Sequence, residues 1–248
     1  MTGRNAPIKA PSRARAKPAP LPPRLSPWRR IKRWVWRGVL TVAAFYGFLI
    51  LLFTVVNPPS TIYMWQEGQR LGGVEQKWAS WDEIAPVMAR SVVASEDANF
   101  CLHWGFDMDA IRKAVEAGSN RGASTLTQQV VKNVFLWHGR NWLRKSLEAM
   151  ITPVVELVWS KQRILEVYLN VAEFGEGTFG VKAAAARFWQ VEPRDLTAVQ
   201  AARLAAVLPD PKGRDADKPS DFVRGRASAA LDGAETIRAD GRAACFQD

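Results

Sequence analysis

The sequence predicts a mainly α-helical domain held outside the cytoplasm by one N-terminal transmembrane helix. Three observations predict it. A 19-residue stretch near the N-terminus carries no charge, apolar residues recur at helical spacing through the rest, and alternating strand patterns are scarce. With 248 residues the chain can bury one sizeable core. Nearly half of its residues are apolar and 11 are Trp, which excludes disorder of the whole chain.

Residues 1–27 are rich in Pro, Ala, Arg and Lys without hydrophobic period, and read as disordered. With the basic run Trp28-Arg29-Arg30-Ile31-Lys32-Arg33 they form a cytoplasmic tail, residues 1–33. Gly38 to Val56 is free of charge, and as a helix rises about 28 Å, close to the hydrocarbon thickness of a bilayer. Trp34 and Trp36 fall at the interface, and Asn57-Pro58-Pro59 ends the run, so residues 34–57 are the expected anchor. Cations flank only its N-terminal side, which puts the N-terminus in the cytoplasm and everything after about residue 57 outside. A cleaved signal peptide fits less well, because the run exceeds the usual length of about 7–15 residues and no clear small-residue cleavage site follows. A buried core helix would show a polar face, and this run has none.

The net charge of +10 suggests nucleic acid until it is located. Residues 1–66 hold 11 Lys or Arg and no acid, and the remainder holds 23 basic and 24 acidic residues. The excess belongs to the tail, so the body has no basic groove for nucleic acid. The two cysteines, Cys101 and Cys245, form neither a disulfide framework nor a metal cluster. They read as free thiols, with one extracytoplasmic disulfide left open.

The body spans residues 58–210. Gln66–Lys77, with Gly68, Gly72 and Gly73, reads as a loop. Pro86 suits the first position of a helix running to about Ser95. Asp107–Ala117 is helical by the spacing of Met108, Ile111 and Val115. Thr125-Leu126-Thr127-Gln128 has the form of a capping box, followed by Leu126, Val130 and Val134 on one face. Trp142–Val158 is a long apolar helix with a kink expected at Pro153. Lys161–Asn170, Val181–Trp189 and Thr197–Leu208 complete the set, the last opening with a second capping box. Residues 211–248 read as a covering segment with a loose end.

Three clusters carry polar groups that a purely structural protein would have little use for. In Ser95–Asp107, Glu96 and Asp97 end an apolar helix, where the macrodipole disfavours negative charge. His103 follows seven residues after Glu96, and by itself reads as a structural histidine. In Arg121–Asn133, Gly122 with Ser124 and Thr125 places N–H groups and hydroxyls at a helix start, a natural anion site. Gln128 and Lys132, and Gln129 and Asn133, pair on helix faces. In the third, Arg144 and Lys145 precede Glu148 by four and three residues. A carboxylate base beside cations and amides suits group transfer from a diphosphate donor, whose departure needs positive charge rather than a strong acid.

These segments resemble the motifs of the peptidoglycan glycosyltransferase family, found in monofunctional transglycosylases and class A penicillin-binding proteins. The first matches Glu-Asp-x-x-Phe-x-x-His-x-Gly. Gly122–Leu136 is similar to Gly-Gly-Ser-Thr-x-x-Gln-Gln-x-x-Lys-Asn-x-Phe-Leu, with Ala123 in place of a Gly. Arg144–Glu148 matches Arg-Lys-x-x-Glu, and Lys161–Asn170 matches Lys-x-x-Ile-Leu-Glu-x-Tyr-Leu-Asn. The resemblance covers about residues 60–210, and with the sequence ending at Asp248 it points to the monofunctional form.

The resemblance implies a lysozyme-like helical fold with a mobile, membrane-proximal lobe. It implies polymerisation of lipid II onto a lipid-linked glycan strand, with inversion at the donor anomeric carbon and release of undecaprenyl diphosphate. Glu96 would be the general base and Glu148 the second catalytic carboxylate. Lys132, Arg144 and Lys145 would hold diphosphate, with Asp97, Phe100, His103, Ser124, Thr125, Gln128, Gln129 and Asn133 around the substrate. The expected partners are both lipid-linked substrates and membrane lipid, together with cell-division or cell-wall proteins, and no nucleic acid. No ligand cluster demands a metal or other cofactor, which leaves room for a divalent cation at the diphosphate. The rivals are a lytic, lysozyme-like glycan hydrolase, which would need a protonated Glu, and a non-catalytic membrane-anchored cell-wall scaffold.

Overall fold

The computed structural model describes residues 27–118, 124–139 and 141–247. The anion-site glycine Gly122 and most of the expected tail lie outside them. The chain divides into two units, Met1–Ala44 and Phe45–Asp248.

The first unit is described by the start of helix α1 (Pro27–Leu52), whose opening turns already include Trp28 to Arg33. The basic cluster therefore begins the helix instead of ending a tail. Its side chains are exposed along the apolar run, including Trp34, Trp36 and Leu40. α1 is long and apolar enough to cross a membrane.

The second unit is mostly helical, as the periodicities predict. It takes in the last turns of α1, where Ile50 is only 3% exposed. The Trp159 indole donates to the Ile50 carbonyl (2.8 Å) and the Tyr46 hydroxyl to Phe135 O (3.1 Å). Arg163 bonds the carbonyls of Phe53 and Val56 just past the helix end. The helix stops at Leu52, short of Asn57, because these carbonyls turn to the body for their partners.

Residues expected as a loop begin inside a helix, α2 (Ile62–Leu71), and this corrects the sequence reading. Thr61 caps its start, Gly68 is tolerated mid-helix, and Gly72 ends it with φ +78°. A small sheet follows: β1 (Glu75–Gln76) lies parallel to β3 (Thr178–Phe179), which pairs antiparallel with β2 (Glu173–Gly175).

The core is shared by two packed groups of helices. α3 (Pro86–Glu96), α9 (Ala198–Val207) and α10 (Asp221–Ala239) form one; α5 (Leu126–Phe135), α6 (Trp142–Val158) and α7 (Lys161–Val171) form the other. α4 (Met108–Glu116) and α8 (Val181–Trp189) flank them. Both predicted capping boxes are present, at Thr125–Gln128 and Thr197–Gln200. α6 runs through Pro153 as one helix.

The segment after residue 210 is part of the same body. α10 approaches α3 so closely that a Cβ on Gly233 would lie 2.9 Å from the Ala94 Cβ. The end is not loose. Cys245 is disulfide-bonded to Cys101, Phe246 is buried, and Gln247 bonds Arg90 and the Pro86 carbonyl. The reading of two free thiols is thus corrected: 144 residues of sequence separation hid a pairing that only the return of the chain creates.

Candidate active site

The site forms where the two helical groups meet. Glu96 is the last residue of α3, half-buried, and its Oε2 accepts a hydrogen bond from Gln129 Nε2 on α5 (3.0 Å). Burial pushes the Glu96 carboxyl above its ordinary 4.5, and neighbouring Asp97 adds to this. The Gln129 hydrogen bond and the charges of Arg226 and Lys132 partly offset it. Burial holds the Lys132 ammonium below its ordinary 10.5, with Arg144 and Lys145 adding to the effect and Glu148 and Glu96 opposing it. Among the described residues Lys132 has no salt-bridge partner within 4.0 Å.

Glu148 is 2% exposed on α6 and bonded to both Arg144 Nη1 and Lys145 Nζ. Lys145 Nζ also donates to Ser124 Oγ (3.0 Å), which ties the second cluster to the third. The spacing that sequence alone could read as an exposed ion pair centres on a buried carboxylate, with Arg144 largely covered and Lys145 partly exposed.

A pocket of about 240 Å³ is lined by Gln129, Lys132 and Asn133 together with Tyr63, His138 and Tyr168. His138 stacks on Tyr63 with ring centroids 3.7 Å apart, and its Nε2 is 3.0 Å from Asn133 Oδ1. Burial, helped by Lys132, lowers the imidazole from 6.5 to about 4, so it is neutral near pH 7. Tyr63 donates to Glu173 Oε2 (2.6 Å). Sequence reasoning missed Tyr63, His138, Tyr168 and Arg226. Tyr168 lies inside the Lys161–Asn170 motif but was given no role there; Tyr63, His138 and Arg226 stand outside the polar clusters, and only the packing brings the four near the site.

Five residues expected around the substrate make contacts within the fold. Asp97 is buried, with Oδ1 on His103 Nε2 (2.8 Å) and Oδ2 accepting from the Leu126 backbone N–H (2.9 Å). That carboxylate joins the first motif to the start of α5. Phe100 is fully buried under the Lys161 ammonium, 4.4 Å from its ring centroid. Thr125 and Gln128 are buried in their capping box, and Thr125 also donates to Gly105 O (2.7 Å). His103, as its own surroundings suggested, is structural. Lys161 secures this loop through His103 O (2.8 Å) and Glu156 (2.9 Å). Gly105 has φ +81°, and a Cβ there would sit 2.6 Å from Thr152 Cγ2, so the motif requires glycine.

A helical fold that sets a buried carboxyl against amides and a cation cluster defines a group-transfer enzyme. The family model described as Transglycosylase matches residues 66–235, and the chain belongs to that family. It is 60% identical over 216 residues, covering 87% of this chain and 90% of the relative, to a biosynthetic peptidoglycan transglycosylase of Jannaschia sp. (strain CCS1). It is 48% identical to proteins of the same description from Xanthomonas axonopodis pv. citri (83% of this chain, 87% of the relative) and Klebsiella oxytoca (82% and 89%). The chain is a glycosyltransferase of peptidoglycan synthesis, with a monofunctional transglycosylase's likeness over most of its length.

Proposed function

We propose that this enzyme polymerises lipid II into β-1,4-linked glycan strands at the outer face of the cytoplasmic membrane. The observation that carries the reading is the half-buried Lys132 ammonium, without an ion-pair partner among the described residues and within reach of the charges of Glu96, Arg144, Lys145 and Glu148. A cation so placed is stabilised by an anion entering the site. The donor diphosphate supplies one.

Glu96 is the base. It takes the proton of the acceptor 4-hydroxyl as that oxygen attacks the donor anomeric carbon from the face opposite the diphosphate. The new C–O bond forms as the old one breaks, the electron pair leaves with undecaprenyl diphosphate, and the configuration inverts. Lys132, Arg144 and Lys145 stabilise the departing charge. Glu148 keeps Arg144 and Lys145 in place, and Gln129 and Asn133 border the sugar path.

Two features support the location. The Cys101–Cys245 disulfide suits an oxidising compartment, independently of the charge bias around α1. Trp142, Leu143, Met150 and Leu157 expose apolar side chains along α6, as a body lying against lipid would. Tethering to the membrane that holds both substrates raises their effective concentration.

The test is polymerisation of purified lipid II by wild type and Glu96→Gln, read on a gel. Wild type makes long strands, and the folded variant makes none. An equally active variant would remove Glu96 as base, and cleavage of preformed glycan without polymerisation would establish the hydrolase.

A further inference from the structure

Among the described residues, Gln129 is the side chain that hydrogen-bonds Glu96. Its other end is also occupied: Gln129 Oε1 accepts from the Tyr168 hydroxyl (3.2 Å). Tyr168 projects from α7 and is 2% exposed, its place secured by the fully buried Asn170 two residues on. Asn170 bonds the Ala79 N–H (2.7 Å) and the Ala79 and Glu166 carbonyls (both 2.8 Å). The hydroxyl thus acts from a rigid support.

The charges facing Glu96 are Arg226 from α10, Lys132 from α5 and Asp97 on its own segment. Arg226 and Lys132 favour the carboxylate, Asp97 the acid, and none changes its preference when a proton arrives. The carboxamide can, because its two ends have opposite polarity. Facing a carboxylate, Gln129 must present Nε2, which leaves Oε1 for a donor. Facing a protonated Glu96, it can present Oε1, which leaves Nε2 needing an acceptor. A hydroxyl satisfies both arrangements; no apolar side chain satisfies either.

We propose that Tyr168 is a positioning residue for the transfer. Its hydroxyl holds the Gln129 amide with Nε2 toward the Glu96 carboxylate, and it turns from donor to acceptor when Glu96 takes the acceptor's proton. The inference rests on Glu96 being the base. Only hydrogen bonds rearrange as the amide turns; the proton moves from the acceptor hydroxyl to Glu96.

The experiment follows Glu96 directly. The full chain in lipid nanodiscs, as wild type and as Tyr168→Phe, is titrated by difference infrared spectroscopy, each against its own Glu96→Gln counterpart. Steady-state polymerisation is measured over the same pH range. In Tyr168→Phe the Glu96 midpoint moves to higher pH by roughly half a unit to one unit. The acid limb of kcat/KM moves with it, and KM changes by less than about twofold. Tyr168→Met, which removes the same hydroxyl with a flexible apolar side chain, moves the midpoint in the same direction and serves if Tyr168→Phe does not fold. An unmoved midpoint, or a loss of rate uniform across pH, overturns the inference and leaves Tyr168 as core packing. A moved midpoint with an unchanged pH–rate profile keeps the hydrogen-bond relay and removes Glu96 as the base.

Discussion

Glu96 and Glu148, the two carboxylates expected to be catalytic, sit in opposite surroundings. Glu96 sits at the C-terminal end of α3, where the helix dipole already disfavours charge, and has one amide donor. Glu148 is more deeply buried, yet Arg144 and Lys145 both bond it. A carboxyl that is costly to ionise can exchange a proton with a substrate; one saturated by cations holds other groups still. Among the described residues, one carboxylate has no counter-ion in contact and the other has two.

The contrast is sharpest in paired substitutions. Glu96→Gln lowers the polymerisation rate by roughly 10²–10⁴-fold, since it removes the proposed base and little else. Its Tm at pH 8 equals or exceeds that of wild type, because the folded carboxyl's raised pKa makes ionisation at that pH a cost to the fold. Glu148→Gln does the reverse in thermal melts. It leaves two cations around a buried neutral amide, at a cost of about 3–5 kcal/mol for breaking a buried pair. Comparable Tm losses in both variants would erase the distinction.

The disulfide is next in size. Cys245→Ser releases a cross-link spanning 144 residues and costs roughly 2–5 kcal/mol, seen as a lower Tm that matches wild type under reductant. The smallest effect belongs to His138. Its folded pKa of about 4 lies below the ordinary 6.5, so the unfolded chain binds more protons between those values. Stability is therefore present above pH 6.5 and lost as pH falls toward 4. A fluorescence-melt series in which His138→Gln removes part of that acid sensitivity, and leaves the melt at pH 8 near wild type, checks it.

Much of this was legible along the chain. Helices α3 to α9 follow from apolar spacing, two capping boxes and Pro86 because those signals act within a few residues of each other. α2 escaped because Gly68, Gly72 and Gly73 look like loop residues, whereas the helix rests on the Thr61 cap and on burying Met64 against the body. Residues 211–248 were expected to cover the body, and α10 does so against α3 and α9. Only the loose end was misread, because the disulfide and the Gln247 hydrogen bonds that hold it join residues far apart in the chain.

The sequence by itself determined the apolar anchor run, the helical class and the polar clusters, since each depends on local spacing and residue chemistry. Which members line the pocket was decided by the tertiary structure. Asp97, Phe100, Thr125 and Gln128 look no less functional in the sequence than Gln129 and Lys132 do. The difference is that hydrogen bonds and packing across the fold satisfy the first group internally and leave the second at the pocket. Glu96 likewise owes its raised carboxyl to burial in the packed fold, with Asp97 adding to it and Gln129 and Lys132 of α5 and Arg226 of α10 opposing it, because desolvation and long-range charge depend on distance in space rather than along the chain.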